Sequence, residues 1–449
     1  MVAPPEQAAE PGADRSDISM ALDLTSLPKR EDTHVGTMAR GLKGSDILRI
    51  AAEIRELTAQ GRKVCNLTVG DFSPREFPIP TALGEGISAA LQAGETNYPP
   101  SDGVLELRLS VQRFYERSLG LKYPVEGIVI TGGARPIIYG TYRTVLDAGD
   151  RVIYPVPSWN NNHYVHMMGA KETVVITDAA HGFMPTVEQL TPHLPGARLL
   201  CLSSPLNPTG TMIDPAALKA ICEQIVAENR ARQGRGERPL ILMYDHIYWT
   251  LSFGRVKHVT PVEVVPEMAH YTVFVDGISK AFAATGVRVG WGVGPPALIA
   301  RMRDVLGHVG AWAPKAEQVA TARYLDAVGS NTAFLESMRR QVDERLEALH
   351  QGFTRMRAAG LPVEAIAPQG AIYLSVRFDL VGKAGLKGND EIRKLLLDQA
   401  SFAVVPFQAF GLMEDTGWFR LSVGATSVAE IQEALPRVEA ALRAVLAGG

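Results

Sequence analysis

Cysteine is scarce in this 449-residue chain: there are three, Cys65, Cys201 and Cys222. The number is odd and the spacing matches no metal-ligand pattern, which excludes a disulfide framework and a thiolate metal centre as organising features. Buried, reduced thiols are the expectation, and with them a cytoplasmic setting. Long apolar runs are missing as well, so no segment is expected to cross a bilayer as a helix. Against 48 Asp and Glu stand 45 Lys and Arg, a formal charge of −3. That leaves no bulk basic field to draw nucleic acid or anionic lipid. The opening MVAPPEQAAEPGADRSD lacks a basic end followed by an apolar core and does not read as a secretory signal. Its Pro, Ala and acidic content predicts a disordered tail.

What is present is a globular composition, 46% hydrophobic and 21% charged, in a chain too long for one compact core. The stretch that organises it is YTVFVDGISKAFAATGVRVG, residues 271–290. A β-branched apolar run is bounded by Asp276-Gly277, as in a short buried strand, and Ser279 and Lys280 follow at its exit. Open α/β sheets place their ligands at strand exits. The same arrangement recurs upstream. Residues 64–69 predict a strand ending in Gly70-Asp71. Residues 125–131 predict a strand that meets Gly132-Gly133-Ala134-Arg135-Pro136 and then a helix. Glycines admit an anion close to the backbone, a helix start offers it free N–H groups, and Pro136 suits a first helical turn. Strands at 151–154 and 197–203 lead into PVPSWNN, with Trp159, and into SPLNPTG, with Asn207. After a helix over 214–231 and a basic loop RQGRGERP, a further strand delivers Asp245, with Tyr248 three residues on. Tyr98 precedes a Pro-Pro-Ser-Asp-Gly turn. Helices at 47–60, 80–93, 296–306, 316–327 and 331–359 and strands at 362–367 and 371–377 complete the pattern. Arg420 lies in a strand, FRLS, and a helix over 428–446 closes the chain.

In this order the elements resemble the class I/II pyridoxal-phosphate-dependent aminotransferases of fold type I, the bacterial aspartate aminotransferases in particular. The active-lysine pattern stands here as Gly277-Ile-Ser279-Lys280 … Gly286-Val-Arg288-Val-Gly290. The resemblance implies an α/β fold: a large domain with a mostly parallel seven-stranded sheet flanked by helices, plus a smaller α+β domain. Residues 1–40 would be a flexible tail or arm, 41–75 the first part of the small domain, 76–328 the cofactor-binding domain and 329–449 the rest of the small domain.

The resemblance also implies roles. Lys280 would carry pyridoxal phosphate as a Schiff base and move the α-proton. Ser279 and Arg288 would bind the cofactor, Arg288 at its phosphate, together with backbone amides of Gly133, Ala134 and Arg135. Trp159 would stack on the pyridine ring, a contact suited to a planar electron-poor heterocycle. Asn207 and Tyr248 would hydrogen-bond its ring oxygen. Asp245 would keep the ring nitrogen protonated and so strengthen the ring as an electron sink. Gly70, Trp159, Asn207, Arg420 and the small-domain strand in PQGAIYLSV, residues 368–376, would border the substrate, with Arg420 holding its α-carboxylate in a bidentate fork. Tyr98 would reach the phosphate of a partner subunit, which implies a homodimer with shared active sites. No metal is implied.

The reaction expected is transfer of an amino group from an L-amino acid to a 2-oxo acid such as 2-oxoglutarate, with aspartate as donor. Two clamps that such enzymes use for a second carboxylate are altered: one position holds Ala134, and the segment LGHVGAWAP contains no arginine. Arg135, Asn160–Asn162, His308 and Lys315 remain as polar candidates. An aminotransferase for aromatic or other neutral amino acids, a carbon–sulfur lyase or acyl-CoA condensing synthase of the same fold, and a binding module without turnover are the alternatives.

Overall fold

A computed structural model describes Thr25 and residues 34–44 and 46–447. The chain divides into two units, Met1–Gly41 and Leu42–Gly449. In the first, Thr37–Gly41 is a single helical turn; most of the expected tail lies outside the described residues.

Seven strands of the second unit form one sheet. In chain order they are β1 (Ile128–Thr131), β2 (Arg151–Val156), β3 (Lys171–Ile176), β4 (Ala197–Ser203), β5 (Ile241–Asp245), β6 (Thr272–Gly277) and β7 (Gly290–Val293). Their order across the sheet is β1-β7-β6-β5-β4-β2-β3. From β6 to β3 every pairing is parallel, and β7 runs antiparallel to both neighbours. The sequence explains why: β4, β5 and β6 are almost wholly apolar, as strands covered on both faces must be. Alternation along them feeds two cores. Leu242, Tyr244 and Phe274 join one, with helices Leu105–Leu119, Pro215–Arg235 and Lys315–Asp326. Met243, Val273 and Val275 join the other, with helices Ala134–Val145 and Pro296–Val309.

A second sheet has four antiparallel strands, β8 (Val363–Ala365), β9 (Tyr373–Phe378), β10 (Val405–Pro406) and β11 (Trp418–Ser422), in the order β10-β11-β9-β8. Helices Asn389–Ala400 and Val428–Ala447 pack on its core. The 31-residue helix Val328–Ala358 spans both sheets. Leu335, near its start, lies in the first core, while Val342, Leu346, Leu349 and Phe353 lie in the second. About 1.5 Å of rise per residue makes this helix long enough to bridge two layers.

Three local expectations need correction. The strand expected over residues 64–69 shrinks to Cys65–Asn66, paired in parallel with Phe402–Ala403. Beyond it, Asn66 turns its side chain back: Oδ1 accepts from the Thr68 backbone N–H and hydroxyl, a local bond that competes with a ladder. The first half of the basic loop is helix, since Pro215–Arg235 runs through Arg232 and Arg235. Both pair with Glu228, and Gly236 ends the helix in the left-handed region. Finally, β6 does not stop before Asp276-Gly277 but includes both residues.

Candidate active site

The exits of β1, β2, β4, β5 and β6 meet the edge of the second sheet around Lys280. Its one-turn helix, Ile278–Ala281, follows β6 directly. Behind it, the buried Asp276 carboxylate accepts hydrogen bonds from Gly277 N–H (2.7 Å), Tyr115 Oη (3.0 Å) and Trp249 Nε1 (2.9 Å). Burial raises this carboxyl to about 7. The network pins the turn from below, so the lysine points from a rigid base.

Lys280 Nζ donates to the Gly70 carbonyl at 2.6 Å and lies 5.8 Å from the Tyr248 ring centre and 5.6 Å from that of Phe72. Burial lowers its amine to about 8, against the pull of Asp71 and with the help of Arg420, Arg135 and Arg288. Asp71 itself accepts from the Thr285 hydroxyl and the Phe72 N–H.

Three features test the fit to pyridoxal phosphate. The first is an anion cradle. Helix Ala134–Val145 starts at Gly133, whose φ of 91° no side chain caps, so its first N–H groups face outward. Arg288 is tied there by donating to the carbonyls of Gly132 (2.9 Å) and Thr285 (2.7 Å). A Cβ on Gly133 would overlap the Arg288 guanidinium. The second is Asp245, at the end of β5 on the face of that helix. One oxygen accepts the Ile247 N–H at 3.2 Å, and burial pushes the carboxyl up to about 6. An acid raised in this way is suited to a cationic ring N–H. The third is charge. The hydrogen bonds of Lys280, Arg288 and Arg420 go to carbonyl and amide oxygens rather than to carboxylates. Such a surplus of cations fits a phosphate and a substrate carboxylate. The residues therefore fit the cofactor.

Arg420, on β11, is buried and its pKa is lowered by burial. It donates to Asn207 Oδ1 at 3.2 Å and to the Thr68 carbonyl, while its Nε has no protein partner. With Oδ1 so used, the Asn207 amide N–H₂ remains available. Gly70 faces the same point: a Cβ there would stand 2.7 Å from Tyr373 Oη and 3.5 Å from Arg420 Nη1. Tyr248 Oη is 2.6 Å from Tyr373 Oη. Trp159 follows β2, half-buried, with the Arg135 guanidinium 4.6 Å from its ring centre. Ser279 is buried beside Lys280, and Ala134 is half-buried at the helix start.

The structure thus gathers Gly70, Gly133, Ala134, Arg135, Trp159, Asn207, Asp245, Tyr248, Ser279, Lys280, Arg288 and Arg420. Tyr98 stands apart, 83% exposed and edge-on to Trp312 at 5.5 Å. Asp71, Phe72, Thr285 and Tyr373 were missed by sequence reasoning. Asp71 had a signal in its place after Gly70, and Tyr373 had one in its segment PQGAIYLSV, where the strand but not the residue stood out. Among the described residues no His, Cys, Asp or Glu cluster is arranged for a metal, and no helix is long and apolar enough to cross a membrane.

Residues 62–438 match the family model for aminotransferase class I and II. The aspartate aminotransferase of Rhizobium meliloti (strain 1021) is 30% identical over 405 residues, 88% of this chain and 93% of that protein. A probable aspartate/prephenate aminotransferase of Rhizobium leguminosarum bv. phaseoli is 28% identical over 407 residues, 89% and 96% of the two chains. The structure of the Thermus thermophilus aspartate aminotransferase with maleate superposes with a TM-score of 0.81 at 28% identity, over 91% of this chain and 99% of that one. A lysine on the β6 exit, a cradle for phosphate and a match over most of the length have one common explanation: this chain belongs to the class I and II aminotransferase family and is a pyridoxal-phosphate-dependent transaminase of fold type I.

Proposed function

We propose that the enzyme takes aspartate as amino donor and 2-oxoglutarate as acceptor, with Lys280 as the proton-moving base. The observation that carries the reading is the Lys280 amine, lowered to about 8 by burial and hydrogen-bonded to Gly70, whose Cα faces Arg420. Pyridoxal phosphate, when bound, supplies an aldehyde that holds the substrate nitrogen and a ring that withdraws electrons from the α-carbon. The rest is the work of the chain. Arg288 and the amides of Gly133, Ala134 and Arg135 would hold the phosphate, and Ser279 would line the same side. Trp159 would lie against the ring, Asp245 would face its nitrogen, and Asn207 and Tyr248 would donate to its oxygen. Arg420 grips the α-carboxylate against Gly70. This grip would turn the α C–H toward Lys280 Nζ, which takes the α-proton of the amino donor and, with the oxo acid bound, delivers a proton to the α-carbon of the new amino acid.

A dicarboxylate substrate is favoured by Arg135. Its side chain is exposed, rests on Trp159 and stands close enough to Lys280 to weaken the proton there. A cation so placed suits a second carboxylate. The relatives named for aspartate, and the Thermus enzyme solved with maleate, agree with this. We further read residues 76–328 as the cofactor-binding domain and 41–75 with 329–449 as the smaller one. Tyr98 completes the site of a second subunit in a homodimer, and the setting is cytoplasmic, in keeping with three buried free thiols.

A panel of amino donors on cofactor-loaded protein tests the assignment. Aspartate is expected to lead in kcat/KM, and Arg135→Gln to raise its KM about 10-fold or more while sparing neutral donors. No turnover of aspartate, alongside good rates for aromatic or branched donors, removes it. Pyruvate and ammonia as products would mark a lyase instead.

A further inference from the structure

Tyr373 has no role in the scheme above, yet it packs on Arg420, hydrogen-bonds with Tyr248 and faces Gly70. It lies on β9, next to the strand that carries Arg420; Ser375 and Arg420 are register partners. Its side chain is fully buried and its ring carries the Arg420 guanidinium at 4.8 Å. Its hydroxyl faces Gly70, the residue whose carbonyl holds Lys280. Among the described residues that hydroxyl has one hydrogen-bond partner, Tyr248 Oη at 2.6 Å, with the two rings edge-on at 5.5 Å.

A phenol has one proton to donate and two lone pairs to offer. In the pair, one hydroxyl donates and the other accepts. If Tyr248 spends its proton on the ring oxygen of the cofactor, the buried Tyr373 proton has only the Tyr248 oxygen to go to. Leaving it unpaired would carry the cost of a desolvated donor. The chain then runs from Tyr373 to Tyr248 to the cofactor oxygen, and each bond polarises the next.

We infer that Tyr373 is a positioning residue, whose hydroxyl orients the Tyr248 hydroxyl toward the cofactor and whose ring supports Arg420. It ties the carboxylate grip on the second sheet to the proton chemistry at the exit of the first. The inference rests on the role given to Tyr248 above. Burial also holds both phenols protonated, with pKa values above the ordinary tyrosine range.

Tyr373→Phe removes the hydroxyl and keeps the ring. The readout is the pH midpoint of the visible absorbance change in cofactor-loaded protein. A weakened donor to the ring oxygen disfavours the deprotonated form, so the midpoint is expected to rise by about 0.5–1 unit. Tyr248→Phe is expected to raise it further, and the double variant to match Tyr248→Phe alone. KM for the amino acid stays within about twofold in Tyr373→Phe, because Arg420 keeps its support. In cofactor-free protein, the fall in Tm of the double variant is expected to be smaller than the sum of the two single falls. A wild-type midpoint in Tyr373→Phe, with Tyr248→Phe shifted, overturns this inference alone. A wild-type midpoint in Tyr248→Phe overturns the role of Tyr248 and this inference with it. Additive Tm losses overturn the pairing itself.

Discussion

Lys280 shows how much of a site can hang on one residue's surroundings. An ordinary lysine is protonated at neutral pH and holds no lone pair for an aldehyde. Here burial comes first, and then the nearby cations Arg420, Arg135 and Arg288, in bringing the amine to about 8. The sign follows directly: the reactive free base is the minor form at pH 7 and becomes the major form above pH 8. Capture of pyridoxal phosphate by the cofactor-free protein should therefore speed up about 5- to 10-fold between pH 7 and pH 9 and level off beyond. Stopped-flow absorbance would show it, and Lys280→Ala should abolish the change. A midpoint near the usual lysine value would contradict the environment described. Lys280 was legible in the sequence because its neighbours spell out a strand exit. For Tyr373 only the strand was legible, through its resemblance to one that borders the substrate; spacing within AIYLSV does not separate a phenol in a site from one in a core.

At the scale of elements, the join between β1 and helix Ala134–Val145 is the most constrained. Gly133 has a φ of 91°, a region costly for any residue with a Cβ. A methyl group there would also strike the Arg288 guanidinium. Gly133→Ala is therefore expected to lose roughly 1–3 kcal/mol of stability and to weaken pyridoxal phosphate binding at least about 10-fold. Chemical denaturation and equilibrium dialysis measure the two effects, and unchanged cofactor affinity would place the phosphate elsewhere. The elements themselves were readable from apolar runs, glycine stops and helical spacing. The misses came where side chains decided the matter: Asn66 turning back on its own backbone, and Glu228 holding two arginines in a longer helix.

At the scale of the whole molecule, the exposed Tyr98 is the telling residue. It is 83% exposed and edge-on to Trp312, and the proposed homodimer gives it a partner site to reach. Mixing subunits tests this. Tyr98→Ala and Lys280→Ala proteins are each expected to be nearly inactive at limiting cofactor. Unfolded and refolded together in equal amounts, they should recover about a quarter of wild-type activity, since half the dimers would be mixed and each would hold one intact site. No recovery would mean that Tyr98 serves its own subunit or none.

By itself the sequence determined the local parts: buried parallel strands, turns at their exits, a helix start bared for an anion, and an amine in the right place to meet an aldehyde. These are written in neighbouring residues, through period, propensity and turn chemistry. Only the tertiary structure decided which parts touch. Lys280 meets Gly70 across 210 residues of chain, Arg420 meets Asn207 across 213, and Tyr373 meets Tyr248 across 125. Contacts of that span depend on how two sheets pack and in what register, and so do the desolvation and crowding of charge that tune each group. Neither quantity is carried by any short stretch of sequence.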